Sequence, residues 1–539
     1  LFGRNGSTAL TARRGECIYA GCPHYRKCFI ERASRSSAQA DIVIANHALM
    51  MVNAARGREE ASRPTRIIFD EGHHLFDAAD STFAAALTGA EMIEIRRWVI
   101  GPEGKARGRR RGLSARLADV ASYDEEGGLA IEAAREAAEA LPGDGWLGRV
   151  NEGVPSGPAE RLLAAVRATV YARDEGQAES GYGLETEYAN LDAPLIEAIA
   201  DLMKALEALV KPLMVLGQRL EALVEEAPDW LDSAACARIE DLPLELAERG
   251  RGGGRAGRDF VAWRGVERGG GRKYDRGTPR HWLDPTRPVS SVVIKPSHGI
   301  LTTSATLRSG GDWDTAAART GAAHLDHEVE HFSAPSPFDY ARQAEVLIVT
   351  DIQRGDLPAL AGAYAALIGA SQGGALGLFT AIRRLRSVHA RIADRLARDG
   401  LPLYAQHVDP MDTGTLVDIF RDDPHASLLG TDALRDGVDV PGHSLRLVIM
   451  EQVPWPRPDI LHKARRLAGG GMDYDARIIR SRLAQAFGRL IRKADDHGHF
   501  VLLSSATPSR LLTAFPPGTP IHRVTLDEAV RRIKSGLSP

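Results

Sequence analysis

Short runs rich in Val, Ile and Leu recur along the chain, each bounded by turn-forming or polar residues. Runs of that length suit buried strands better than helices. Residues 41–46 (DIVIAN) predict one such strand, and 66–71 (RIIFDE) predict a second that ends on acids. Acids at the carboxyl end of a parallel strand mark sheets that carry function at their strand ends. From about 78 to 248 Ala, Leu, Glu and Arg dominate, and 129–140 and 196–225 have apolar residues at helical spacing. That stretch predicts a mostly helical insertion, followed by a Gly/Arg-rich loop or exposed hairpin at 250–272. Strand-like runs return at 291–294 and 300–303. They then alternate with helical stretches at 345–350, 375–380, 426–431, 445–450 and 499–505. This alternation predicts a second α/β unit with a mostly parallel sheet. The expected division is 1–40, 41–90, 91–248, 249–310 and 311–539, with 249–310 returning to the first α/β unit.

Composition adds limits. The chain has 539 residues, 44% hydrophobic and 26% charged, the balance of a soluble globular protein with several domains. No apolar run is long enough to span a bilayer, and the opening LFGRNGSTALTARRGE is not a signal peptide, so a cytoplasmic location is expected. A first residue of Leu1 suggests a cut N-terminus. The net charge of −3 neither supports nor excludes a nucleic-acid partner, because the local surface decides that. Of four Cys, three cluster at Cys17, Cys22 and Cys28, which points to a metal or cluster site in a reducing compartment.

Four motifs could carry chemistry. Asp70-Glu71-Gly72-His73 follows a strand, where an Asp can hold Mg²⁺ through water and an adjacent Glu can polarise an attacking water. The plain alternative is an acidic turn that caps a helix. Thr303-Ser304-Ala305-Thr306 also follows a strand, and its hydroxyls could bond to the acidic motif. Taken alone it reads better as a Ser/Thr-rich turn, and a similar SSAT at 504–507 shows how common the pattern is. Gly430-Thr431-Asp432 and Gly437-Val438-Asp439-Val440-Pro441-Gly442 could bring backbone close to phosphates, or form a β-turn. Gln485, Arg489 and Arg492 fall at i, i+4 and i+7 of a helical stretch, which predicts one shared face able to clamp a phosphoryl group. A solvated basic stripe is the competing reading there.

In this order the motifs resemble superfamily 2 helicases, and most closely the iron–sulfur branch that includes bacterial DinG and the XPD-type helicases. The segments ANHALM (45–50), SPFD (336–339), LFTAIRRLR (378–386), GVDVPG (437–442), VPWPRP (453–458) and QAFGRLIRKADDHG (485–498) carry the resemblance over nearly the whole chain. It implies two RecA-like motor domains, a helical arch-like insertion and an Fe–S cluster segment. It also implies an ATP-dependent DNA helicase, 5′→3′, acting on single-stranded and forked duplex DNA as a monomer in repair or replication. By resemblance Asp70 is the Mg²⁺ acid, Glu71 the base and His73 a coupling residue, with Ser304 and Thr306 in the coupling motif. Gln485, Arg489 and Arg492 resemble γ-phosphate sensors and fingers. Gly437 and Asp439 belong to the nucleotide site, and Thr380 and Thr431 to the strand contacts.

From spacing alone, Cys17, Cys22 and Cys28 suit zinc completed by His24 or His47. The resemblance favours a [4Fe–4S] cluster whose first Cys lies upstream, and Cys236 reads as a structural thiol. The basic stretches 107–111 and 249–255 are either strand contacts or solvated loops. The chain contains no GxxxxGK[ST] for ATP phosphates. Gly101-Pro-Glu-Gly104-Lys105-Ala106 lacks the hydroxyl residue and follows the acidic motif, so an upstream P-loop is expected. Two alternatives stay open: a P-loop-less nucleic-acid-binding or regulatory protein, and the helicase part of a helicase–exonuclease fusion.

Overall fold

The computed structural model describes residues 25–55, 65–101, 112–173, 183–187, 193–226, 259–269, 272–308, 312–353, 355–431, 434–435 and 439–536. Its strands are β1 (Arg66–Phe69), β2 (Ala85–Thr88), β3 (Leu184–Glu187), β4 (Phe260–Gly269), β5 (Arg272–Trp282), β6 (Gly299–Thr302), β7 (Ala344–Val349), β8 (Ala375–Leu378), β9 (Leu403–Ala405), β10 (Ser427–Gly430), β11 (Leu447–Met450), β12 (Gly498–Leu503) and β13 (Ile521–Val524). The result is an α/β chain with parallel sheets and many helices.

The first α/β unit is small. β1 and β6 pair in parallel with Phe69 opposite Thr302, which aligns their carboxyl ends. Phe69 is buried with Met51, Leu75, Ala79, Val289 and Val293. The opposite face of this sheet is open, with Ile68 71% exposed.

Two expected strands do not form in this unit. Residues 41–46 have no ladder partner among the described residues, and Ile44 is 95% exposed. Asn46 instead caps the helix His47–Ala55, its Oδ1 accepting from Leu49 N at 2.7 Å. Residues 291–294 lie in a π-helical turn, Ser290–Ile294, because Val289 and Val293 reach the small core from helical spacing.

The region between β1 and β6 is mostly helical. Its longest helix, Ala193–Glu226, buries Leu195, Leu202, Leu206, Leu209, Leu213 and Leu216 at alternating short spacings, one continuous apolar stripe. It also contains a four-stranded antiparallel sheet, order β2-β5-β4-β3, that the sequence reading did not foresee. The Gly/Arg-rich segment supplies β4 and the turn into β5, which runs on beyond it, and the resulting hairpin is not simply exposed: Arg264, Val266 and Arg276 are buried.

The second α/β unit carries a fully parallel seven-stranded sheet, order β13-β7-β12-β11-β8-β10-β9. Alternate residues of its strands enter two cores. Val346, Val448 and Phe500 face one, and Leu347, Leu447 and Val501 face the other. Burial on both faces explains the unbroken apolar runs of the sequence.

Candidate active site

The acidic motif turns sharply after β1. Asp70 is exposed at the strand end, and its Oδ1 accepts from Glu71 N at 3.0 Å. Glu71 has left-handed backbone angles, φ 49° and ψ 46°. Such a conformation costs a non-glycine residue about 1–3 kcal/mol and is maintained by surrounding structure. Gly72 supplies part of that support: its N–H donates to Thr303 O at 2.9 Å, and a Cβ there would collide with Cγ2 of Thr302. His47 adds a bond to the Asp70 carbonyl at 2.9 Å and packs edge-on against Phe69.

This turn brings the first two motifs together. His73 Nδ1 lies 2.7 Å from Ser304 Oγ and 3.3 Å from Glu71 Oε2. Ser304 Oγ is also 3.4 Å from Glu71 Oε2 and accepts from Thr306 N at 3.1 Å. Parallel pairing of β1 with β6 is what lets residues so distant in sequence share one hydrogen-bonded cluster.

The later motifs converge separately, at the end of the second unit. The helix Met472–Phe487 stops before the arginines, so the expected common helical face of Gln485, Arg489 and Arg492 does not exist. Gly488 ends the helix, its N–H closing back on Ala484 O at 2.9 Å. Gln485 is buried in the last turn, Arg489 lies in the following turn, and Arg492 lies beyond it. Tertiary bonds then gather them. Arg489 Nε donates to Arg435 O at 2.7 Å, and Arg492 Nε is 3.7 Å from Asp439 Oδ1. Buried Asp496 joins the two loops, its carboxylate accepting from Gly442 N at 2.9 Å and from Arg492 N and Lys493 N at 2.7 Å. Gly437 lies outside the described residues.

Thr380 and Thr431 stand beyond the carboxyl ends of neighbouring strands β8 and β10. Thr431 N and Oγ1 both donate to Gln406 Oε1, at 3.1 and 3.0 Å. Thr380 N and Oγ1 donate to Glu451, a buried carboxylate that also accepts from Arg384 Nε at 2.6 Å.

Of the cysteines, only Cys28 is described; Cys17, Cys22, Cys236 and His24 lie outside the described residues, as do 107–111 and 249–255. Cys28 precedes the helix Phe29–Ser37 at its N-cap. Among the described residues no group of His, Cys, Asp or Glu is disposed to hold a metal ion.

Comparison with known proteins fits this arrangement. Residues 365–514 match the helicase C-terminal domain family. The ATP-dependent helicase DinG of Mycobacterium tuberculosis is 27% identical over 91% of this chain and 65% of its own length. The ATP-dependent DNA helicase YoaA of Escherichia coli is 25% identical over 94% of the chain and 72% of its own length. Over nearly its whole length the chain is similar to DinG-type helicases. A Bacillus subtilis relative named 3′-5′ exonuclease DinG is 23% identical over 93% of this chain, which covers 54% of it. The chain thus spans about two thirds of the length of the Mycobacterium tuberculosis relative and about half of the Bacillus subtilis one.

Several residues that organise the chain escaped the sequence reading. Glu451 follows the apolar strand β11 as Asp70 follows β1, a signal that was present in the sequence but unweighed. Asp80 and Arg465 gave no such signal. Asp80 lies on the helix Leu75–Phe83, just after the acidic turn. Arg465 of the second unit donates to its carboxylate at 2.6 and 3.2 Å and to Trp282 O at 2.8 Å, and His281 bonds Asp80 Oδ1 at 2.7 Å. Phe76 lies between the guanidiniums of Arg319 and Arg465, each 5.0 Å from its ring, and Arg319 also reaches His73 O at 3.3 Å. A clasp between the units therefore abuts the acidic turn. No described helix is long and apolar enough to cross a membrane.

Proposed function

We propose that the chain forms the greater part of an ATP-dependent DNA helicase that moves 5′→3′ on single-stranded DNA and opens forked duplexes. In this reading the two α/β units are RecA-like motor domains, and the intervening helical region is the arch. The observation that carries it is the cluster of Glu71, His73 and Ser304 at the aligned ends of β1 and β6. Mg-ATP is the substrate. The exposed Asp70 carboxylate, a hard oxygen donor, suits an Mg²⁺ bound through water. Glu71, held by the strained turn, is placed to take a proton from the attacking water. His73 and Ser304 tie that base to the Thr303–Thr306 segment, so a shift in either strand end moves both. Arg489 and Arg492 are the candidates for stabilising charge on the transferring phosphoryl group, with Asp439 and Asp496 holding their loop in place. Thr380 and Thr431 are the candidate contacts to strand phosphates.

Cys17, Cys22 and Cys28 are proposed to hold three corners of a [4Fe–4S] cluster. Cys28 fits as a donor because a soft sulfur ligand suits an iron–sulfur site. The cluster would brace the segment that precedes the first motor domain. A brown protein with iron and sulfide after anaerobic purification is expected; a colourless protein with zinc refutes the cluster.

The chain contains no GxxxxGK[ST], so this chain alone is expected to show little ATPase activity, and strong DNA-stimulated turnover would refute that expectation. In a longer form that contains a P-loop, Glu71→Gln should lower DNA-stimulated turnover by about 100-fold or more while DNA binding persists. Unchanged turnover would refute the assignment of the base. Unwinding assays on tailed duplexes of both polarities test the direction.

A further inference from the structure

A crevice opens at the carboxyl ends of β7, β11 and β12, beside Thr380. Its lining includes Gln353, Arg384, Gln452, Trp455 and Ser504, the last from the SSAT segment that the helicase motifs leave unused. Trp455 is 43% exposed, and among the described residues no ring or guanidinium covers its face. It is also held stiffly. Pro454 and Pro456 flank it, Val453 is buried before it, and its N–H closes on Val453 O at 2.8 Å. Arg482 donates to Pro454 O at 3.1 Å and Arg457 to Gly183 O at 2.9 Å, anchoring the segment on both sides. An aromatic side chain kept exposed on a restrained backbone loses little entropy when another ring stacks on it.

The charges in the crevice argue against a phosphate. Its cation, Arg384, donates to the buried Glu451 carboxylate at 2.6 Å, so the pair is neutral. The remaining polar groups are neutral amides and hydroxyls. Gln452 Nε2 donates to Thr380 Oγ1 at 2.7 Å, which orients the amide and leaves its oxygen as an acceptor. A flat apolar face beside neutral donors and acceptors matches an uncharged heteroaromatic ring. We propose that this crevice is a base-binding subsite for single-stranded nucleic acid, with the Trp455 indole as stacking platform and Gln452 and Ser504 along the edge of the base. Thr431, Thr380, Gln452 and Ser504 follow β10, β8, β11 and β12, which are adjacent in the sheet, so a strand crossing these ends meets Trp455 after Thr380. The proposal rests on the helicase reading above.

The test uses the full chain with two fluorescently labelled probes of equal length, an oligothymidylate and a fully abasic strand. Anisotropy gives affinity, and tryptophan quenching reports stacking. Trp455→Ala should weaken oligothymidylate binding roughly 5- to 150-fold, the range for loss of one stacked base, and leave the abasic strand unaffected. Trp455→Phe should retain most of the affinity while losing most of the base-dependent quenching. The inference is overturned if Trp455→Ala binds oligothymidylate like the parent, or if it loses both probes equally. Failure of the parent chain to bind either strand overturns the helicase reading and the subsite together.

Discussion

The clasp between Asp80 and Arg465 can be dissected quantitatively. Arg465 is buried, and its guanidinium makes bonds of 2.6 and 3.2 Å to Asp80, 2.8 Å to Trp282 O and 3.2 Å to Leu283 O. Replacing it with Met keeps the bulk but leaves Asp80 with only His281 and strips two carbonyls of a donor. Removing one partner of a buried pair costs about 3–5 kcal/mol, and the partial exposure of Asp80 places the expected loss near the low end. Asp80→Asn keeps a neutral acceptor and should cost about 1–2 kcal/mol. Because the residues touch, the double variant should cost less than the sum, with a coupling of about 1–3 kcal/mol. A global melt would blur several domains, so the suitable assay is native-state hydrogen exchange of amides in the helix Leu75–Phe83. A loss of 3 kcal/mol would raise the opening constant there by about 150-fold. Additivity within about 0.5 kcal/mol, or unchanged protection in Arg465→Met, would refute the clasp as a coupling between the units.

Three further outcomes are expected. Gly72→Ala should lower the thermal midpoint, because a Cβ meets Cγ2 of Thr302, and Thr302→Ser should restore much of the loss by removing that methyl; failure of the rescue refutes the steric account. Glu451→Ala should destabilise the second α/β unit by about 2–4 kcal/mol, since Arg384 and Thr380 lose a buried acceptor; an unchanged midpoint in calorimetry refutes this. Burial disfavours ionised Asp80, but hydrogen bonds from His281 and Arg465 outweigh it, so its carboxyl is held below the ordinary value of 3.8. A lowered folded value means the clasp's stabilisation is complete above the unfolded value and fades as pH falls through the folded one. Exchange protection of Leu75–Phe83 should therefore persist at mildly acidic pH and fail only below about pH 4, and an earlier loss counts against Asp80 as the titrating group.

Local chemistry made part of this architecture legible in the sequence. Strands of the second unit are buried on both faces, so their apolar runs stand out, and the acids after β1 announced the turn. The run at 41–46 resembles those strands in composition but has no ladder partner among the described residues, and composition does not reveal pairing. β4 and β5 were hidden for the opposite reason: Gly, Arg and other polar residues interrupt their apolar positions, and their partners supply the order. The arginine motif kept helical spacing past Gly488 while the backbone did not. Asp80 and Arg465 lie 385 residues apart, and no periodicity links positions at that distance.

The antiparallel sheet has a consequence for how the chain reaches its native state. His73 and Ser304 meet across 231 residues of intervening chain. Within that span, β2 pairs with β5, and Ala90 is bonded to Asp275 across 185 residues. If the insertion folds first, the loop that must still close shrinks to about 46 residues (231 − 185), lowering the closure cost by about 1–2 kcal/mol. The sheet then works as a clip that delivers β6 to β1. On a ribosome the acidic turn would wait, without its partner, until residue 304 had emerged, so the cluster of Glu71, His73 and Ser304 would assemble last.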